Sequence, residues 1–575
     1  MNKQATGLLT ASALILLSPL TGCIDNNYDL SDIDTTVKVS VNSLTLPVNI
    51  DEIFLSSIID TEEGDKIQII DNQYAILEDG TFGSDPINIE QFSIAAPEIN
   101  PSITEIQIPS VTGVRNTGDI SFNIDLAPIS GYSYNYSGIS TDIVDIEQLE
   151  VSWGLTYSIN LEATDGTIPS GIKLQNIRFQ LPKGLTGTPS IGTYNPETGE
   201  ISISEIDNIQ NGVSLTMTAS AINLAKAGAI FNYNDHSIDI HGETGLTNAD
   251  MLIPAASIAG IQAPSKLYLS IHTQLGDFEV KSFTGSIKHT IDGLNISPIT
   301  LNDLPDFLNQ EGTNISLANP QIYINISNPF SSYNIHGSAG FNLTALRNDG
   351  SLPVSCTIDN SRFELRPEAN SSYCLSPSIP GTYYPGFENI QHVPFTSLSG
   401  ILSGNGLPNE IQIEIPQPEI PTQRVTGFRL GSYPAIEGRY TFFAPLALGK
   451  GSVITYSDTE DGWNDEDIDQ ITINELQISA NVSTNLPFGV QLTGYPVDVD
   501  GQQINDVEIT GADIAANANG TQVKIRITGT VTHLDGIRFE ARATAPETSQ
   551  PLSPSQGITL KDIRATVSGY YEKEL

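Results

Sequence analysis

Basic residues are scarce in this chain. Lysines and arginines number 25 against 67 aspartates and glutamates in 575 residues, a formal net charge of −42. That balance argues against a nucleic-acid partner, whose phosphates demand a basic footprint. It argues equally against a protein lying flat on an anionic leaflet. Apolar runs are short: beyond the first 17 residues none approaches the ~20 needed to span a bilayer as a helix. No P-loop, HExxH, GxSxG or CxxC occurs, and "GKGS" at Gly449–Ser452 lacks the spacing that cradles a phosphate. The motifs that most often carry catalysis are thus missing, and the chain reads as non-catalytic. Helix signals are few, and cysteines number three: Cys23, Cys356 and Cys374.

What is present begins with a leader. Met1-Asn2-Lys3 precedes an apolar core, Leu8–Leu17, and then Ser18-Pro19, the layout of an export signal over residues 1–22. Its last residues, Leu20-Thr21-Gly22-Cys23, resemble the bacterial lipobox. That resemblance implies cleavage before Cys23 and acylation of its sulfur and new amine, so that acyl chains hold the protein to a membrane. Asp25, Asp29, Asp32 and Asp34 follow among small polar residues, and 23–36 reads as a solvated tether. This stretch is similar to the region behind the cysteine in Bacteroidetes surface lipoproteins, where acids direct export to the cell surface. Ile24, Asn26 and Asn27 interrupt the acids here. The expected location is therefore the outer membrane, lipid-anchored and facing outward, with the periplasmic face as the alternative. "NISLANPQIYINISNPF" and "TFFAPLALGKGSVITYSDTEDGWN" also resemble patterns in Bacteroidetes lipoproteins of unknown function. In an exported protein Cys356 and Cys374 are expected to form a disulfide, worth ~3 kcal/mol for so short a loop.

The body of the chain alternates with period two. "GEISISEI" (Gly199–Ile206), "QIYINIS" (Gln321–Ser327) and "QVKIRIT" (Gln522–Thr528) each place isoleucines or valines on one face, as half-buried antiparallel strands do. In "ITINELQIS" the phase slips, which predicts a bulge near Asn474-Glu475. Turns are expected at Glu78-Asp79-Gly80, Asn348-Asp349-Gly350, Asp500-Gly501 and Asp535-Gly536. The fold class expected is all-β: tandem, elongated antiparallel sandwich-like modules with a few short helices. Three similar stretches, Leu44–Ile70, Ile296–Ile322 and Val393–Ile420, read as strand–short helix–strand units whose helix plugs a sandwich end. Pro-rich Ile413–Arg424 forms a joint, because prolines block ladder bonds. The segmentation expected is 37–165, 166–265, 266–424 (holding the disulfide) and 425–575.

Few residues offer chemistry. His236 and His241 have opposite parity on a strand, so this stretch reads as a solvated face. The acidic run Ser457–Asp469 offers Asp458, Glu460, Asp461, Asp465 and Asp467 for calcium, with Gly462 as the bend, although the spacing is not that of an EF-hand; no other cofactor is indicated. Trp463, within it, and Tyr132, Tyr134 and Tyr136, on one strand face, are candidates for stacking on a sugar; packing against the sandwich is the competing use. These readings converge on a lipid-anchored surface protein that binds or scaffolds, with a glycan or protein ligand. The alternatives are an exported polysaccharide-degrading enzyme and a carrier of lipids or other amphiphiles.

Overall fold

The computed structural model describes residues 36–574 except 47–51, 60, 63–64, 109–117, 165–167, 259–265, 292–293, 303, 306–307, 309–311, 417, 467 and 548–549. Strands make up 60% of it and helices 5%, so the chain is all-β. Alternation sets the faces as expected: Val523, Ile525 and Ile527 are buried while Lys524 and Arg526 face water. The phase slip at Asn474 is a bulge, with the register shifting between Ile473 and Glu475 on both flanking strands. It lets Ile473, Leu476 and Ile478 all point inward.

Two sheets sandwich the first half of the core. One is built on the 21-residue strand Ile143–Ala163, flanked by Val213–Asn223, Lys266–Leu275 and Phe278–Ile287. The other is built on Lys173–Gln180 and Ser237–Ile253. Tyr157 of the first stacks on Phe179 of the second at 4.5 Å, and its hydroxyl donates to Gln180 O. Two middle sheets run through Gln321–Ser327 and Gly337–Leu346. The C-terminal sandwich pairs a sheet containing Thr472–Thr484, Thr521–Val531 and Gly557–Glu574 with one containing Val453–Glu460, Gly489–Val497 and Gly536–Thr544. Its core gathers Trp463, Ile473, Leu476, Ile527, Leu534 and Ile537.

Pairing crosses the segment boundaries drawn from the sequence. Thr36–Leu46 pairs with Gly557–Glu574, Gln73–Gly83 with Glu437–Pro445, and Phe278–Ile287 with Gln423–Arg429. Alternation tells a strand which face is inward, not which strand lies beside it. Of the helical plugs, Leu55–Ile58 and Leu398–Ile401 are short helices, and the second buries Leu398 and Ile401; of the third, at 304–308, residues 306–307 lie outside the described residues, and Leu304 and Leu308 are buried.

The turn expected at Glu78-Asp79-Gly80 is instead mid-strand, within Gln73–Gly83. Gly80 faces Tyr440 across the ladder, and Gly438 faces Phe82. Each ring lies over the opposite glycine, so these glycines make room for aromatics where an Asp-Gly hairpin was expected. Asn348–Gly350 and Asp500–Gly501 do lie in turns.

Candidate binding cleft

The Pro-rich joint builds an open concavity. The strand Glu410–Glu414 belongs to one middle sheet, and Gln423–Arg429 to the first large sheet. Between them Pro416, Pro418 and Pro421 cannot donate ladder bonds, so the chain crosses between sheets as an extended strap. Two isolated bridges tie it down, Ile415 to Leu294 and Glu419 to Ser338; in the second, Ser338 N donates to Glu419 O at 2.9 Å, and Glu419 N to Ser338 O at 2.8 Å. Beside the strap is a cleft of about 900 Å³. Lys288 and His289, just past the strand Phe278–Ile287, form one wall, and His336 and Ser338 another. Thr290, Glu364, Glu419 and Thr422 complete the polar lining.

The polar groups are held in place. Gln423 grips the backbone of His336 from both sides: its amide nitrogen donates to His336 O at 2.6 Å, and its Oε1 accepts from His336 N at 3.2 Å. Lys288 N donates to Asp142 O at 2.8 Å, while the Lys288 side chain is exposed. Asp142 Oδ1 stands 3.2 Å from His289 Nδ1, outside hydrogen-bond geometry, and that buried nitrogen is left unsatisfied by protein. The cleft adjoins a small apolar pocket lined by Ile291, Phe330, Ile335 and Ile420. Beneath it Phe330 joins Phe283, Tyr333, Phe428 and Tyr433 in one ring cluster, with centroid separations from 4.5 Å. The result is a concavity with donors and acceptors on its walls and carbon at its base.

The residues singled out in the sequence go elsewhere. Tyr132 and Tyr134 are buried and Tyr136 is half-buried; all three serve packing. Tyr134 donates to Gly276 O at 2.9 Å and accepts from Trp153 Nε1 at 3.0 Å, while Tyr136 stacks on Phe92 at 5.1 Å. Their shared face is the inner one, so no stacking platform faces solvent. Trp463 is also folded inward, 2% exposed, with its backbone N–H donated to Asp535 O. Asp458, Glu460 and Asp461 lie at the end of a strand, and no group of three metal-ligating side chains occurs among the described residues. The Asp465 side chain and all of Asp467 lie outside the described residues, as does Cys23. His236 occupies a turn, and His241 faces solvent beside Asp239.

The expected disulfide is not formed. Cys356 and Cys374 are both buried free thiols. They lie on Val354–Leu365 and Asn370–Ser376, strands of different sheets, so closeness in sequence does not bring the sulfurs together. Burial pushes the Cys356 thiol up to about 11 and raises that of Cys374. Reactivity belongs to the thiolate. Iodoacetamide at neutral pH is therefore expected to leave both thiols unlabelled in the native protein and to label both in denaturant without reductant. Failure to label in denaturant alone, with labelling after reduction, would restore the disulfide.

Sequence reasoning passed over Lys288, His289, His336 and Glu419. The proline run was the available signal, since a strand that cannot complete its ladder leaves open surface beside it. Two of seven histidines converging on one cleft is legible only in three dimensions.

No family model matches this chain, and no curated protein matches it. A crystal structure of a "putative secreted protein" from Parabacteroides distasonis superposes with a TM-score of 0.36 at 15% identity, covering 50% of this chain and 90% of the other. Likeness that remote transfers no property. Among the described residues no helix is long and apolar enough to cross a membrane.

Proposed function

We propose that the protein is a lipid-anchored binding protein of the outer membrane, facing the cell surface, and that its cleft takes a glycan without chemical turnover. The observation that carries this reading is the cleft itself: about 900 Å³, concave, with Lys288, His289, His336, Glu364, Glu419 and Thr422 offering both donors and acceptors. Small-ligand sites are concave and have volumes of roughly 300–1,000 Å³. Stable protein partners instead bury ~800 Å² of surface per side. A segment of a few sugar rings suits the former, and its many hydroxyls suit walls of mixed polarity. The lipobox and acidic tether support the location.

The test is binding of purified protein to a panel of soluble oligosaccharides, followed by calorimetry on those retained. Lys288→Ala and His336→Ala are expected to weaken binding about tenfold each, with unfolding midpoints unchanged because both side chains are exposed. Silence across the panel would sink the glycan assignment. Binding indifferent to both substitutions would move it to another surface.

A further inference from the structure

Among the described residues, the C-terminal sandwich is not filled. On its strands Val453–Glu460 and Gly536–Thr544, alternate residues point between the sheets, where a sandwich ordinarily packs its core. Yet Tyr456, Phe539, Ala541 and Ala543 on one sheet are only half-buried, as are Leu560 and Ile563 on the other. Two causes are visible. Small side chains meet at the centre, with Ala541 on one sheet and Ala480 on the other lining the same space. The strand Gly557–Glu574 also bulges: Asp562 adopts φ +54° and the register slips between Ser479 and Asn481, which bends the strand locally.

The result is two adjoining cavities of about 70 and 90 Å³ that follow one another along the paired strands: Ile454 and Ala543 line one, Asp458 and Phe539 the other, and Tyr456 and Ala541, between them, line both. Their walls are almost wholly carbon. A carbon-lined void stays dry, and one of ~150 Å³ accepts a six-carbon hydrocarbon. Unfilled, it forfeits dispersion contacts that a ligand would restore. A linear pair of cavities suits a chain better than a disc. The acidic group among the lining residues is Asp458, an exposed carboxylate on the inward-facing parity of its strand. It disfavours an anionic head and accepts from a hydroxyl.

We infer that this slot binds the alkyl chain of a single-chain amphiphile whose head group is uncharged and carries hydroxyls. The site is separate from the cleft and independent of the glycan reading.

The test uses the full chain carrying Cys23→Ser, so that no acyl group of its own competes. Calorimetry with 1-decanoylglycerol is expected to show one site. Ala541→Leu and Ala543→Leu each fill the slot, and are expected to weaken binding at least about tenfold while leaving the unfolding midpoint unchanged or raised. Decanoate is expected to bind more weakly than the neutral ester, and Asp458→Asn to narrow that gap. No binding of decanoylglycerol would overturn the inference. So would binding untouched by either leucine in a folded variant, or decanoate bound as tightly as the ester.

Discussion

Phe428→Ala is expected to cost about 3–5 kcal/mol of stability and to weaken cleft binding with it. Phe428 is fully buried and meets four rings: Phe283 at 5.7 Å, Phe330 at 5.9 Å, Tyr333 at 4.5 Å and Tyr433 at 5.4 Å. Removing it leaves a hole that neighbouring β-strands, tied by ladder bonds, close only in part. Each aromatic pair adds ~0.5–1.5 kcal/mol beyond area burial, though the four share one ring and do not sum. The functional consequence follows from Phe330, which bridges this cluster to the cleft and meets the His289 ring edge-on at 6.1 Å. With Phe428 gone, the support under His289 loosens. Urea unfolding reads the stability and calorimetry the affinity. A cost below about 1 kcal/mol would mean that the rings do not hold this junction together.

Gly438→Val is the second large effect, and its sign runs against local propensity. Gly438 lies in a strand, where a β-branched residue is ordinarily favoured by up to ~1 kcal/mol. A Cβ there would stand 2.1 Å from Cζ of Phe82. The ring must leave, and it lies directly across the ladder. The neighbouring pair is reciprocal: Tyr440 covers Gly80, and its hydroxyl donates to Ser297 O at 2.9 Å, tying one middle sheet to the chain entering the other. Overpacking and the disturbed ladder together are expected to cost about 3–5 kcal/mol. Phe82→Ala should cost less, and the double variant Phe82→Ala/Gly438→Val should recover at least ~1 kcal/mol relative to the sum of the singles. Strict additivity would show that the ring is not what excludes the side chain.

These two sites also mark what the sequence makes legible. Strand identity was readable wherever isoleucine and valine alternate, including the slipped phase at Asn474, because alternation is a local consequence of the pleat. The use of Asp79-Gly80 was not readable: Asp-Gly is a turn signal by local chemistry, and the ring that claims Gly80 lies 360 residues away. Tyr132, Tyr134 and Tyr136 share one face as expected, but a tyrosine ring is amphipathic, so its alternation does not say, as that of isoleucine and valine does, which face is wet. Cys356 and Cys374 are near in sequence and sit on strands of different sheets, a separation that only the pairing order reveals. The cleft was half legible. The prolines announced an interrupted strand, whereas Lys288, His289 and His336 meet only because that interruption carries the chain between sheets.

The most direct measurement of the central claim is histidine NMR. The chain has seven histidines, few enough to resolve after selective ¹³C labelling and to assign with single His→Gln variants. On titrating an oligosaccharide that the panel shows to bind, the signals of His289 and His336 are expected to move together and saturate with the calorimetric affinity, while solvent-facing His241 and His533 stay fixed. Saturable binding that leaves His289 and His336 unmoved would contradict the account and place recognition elsewhere on the chain.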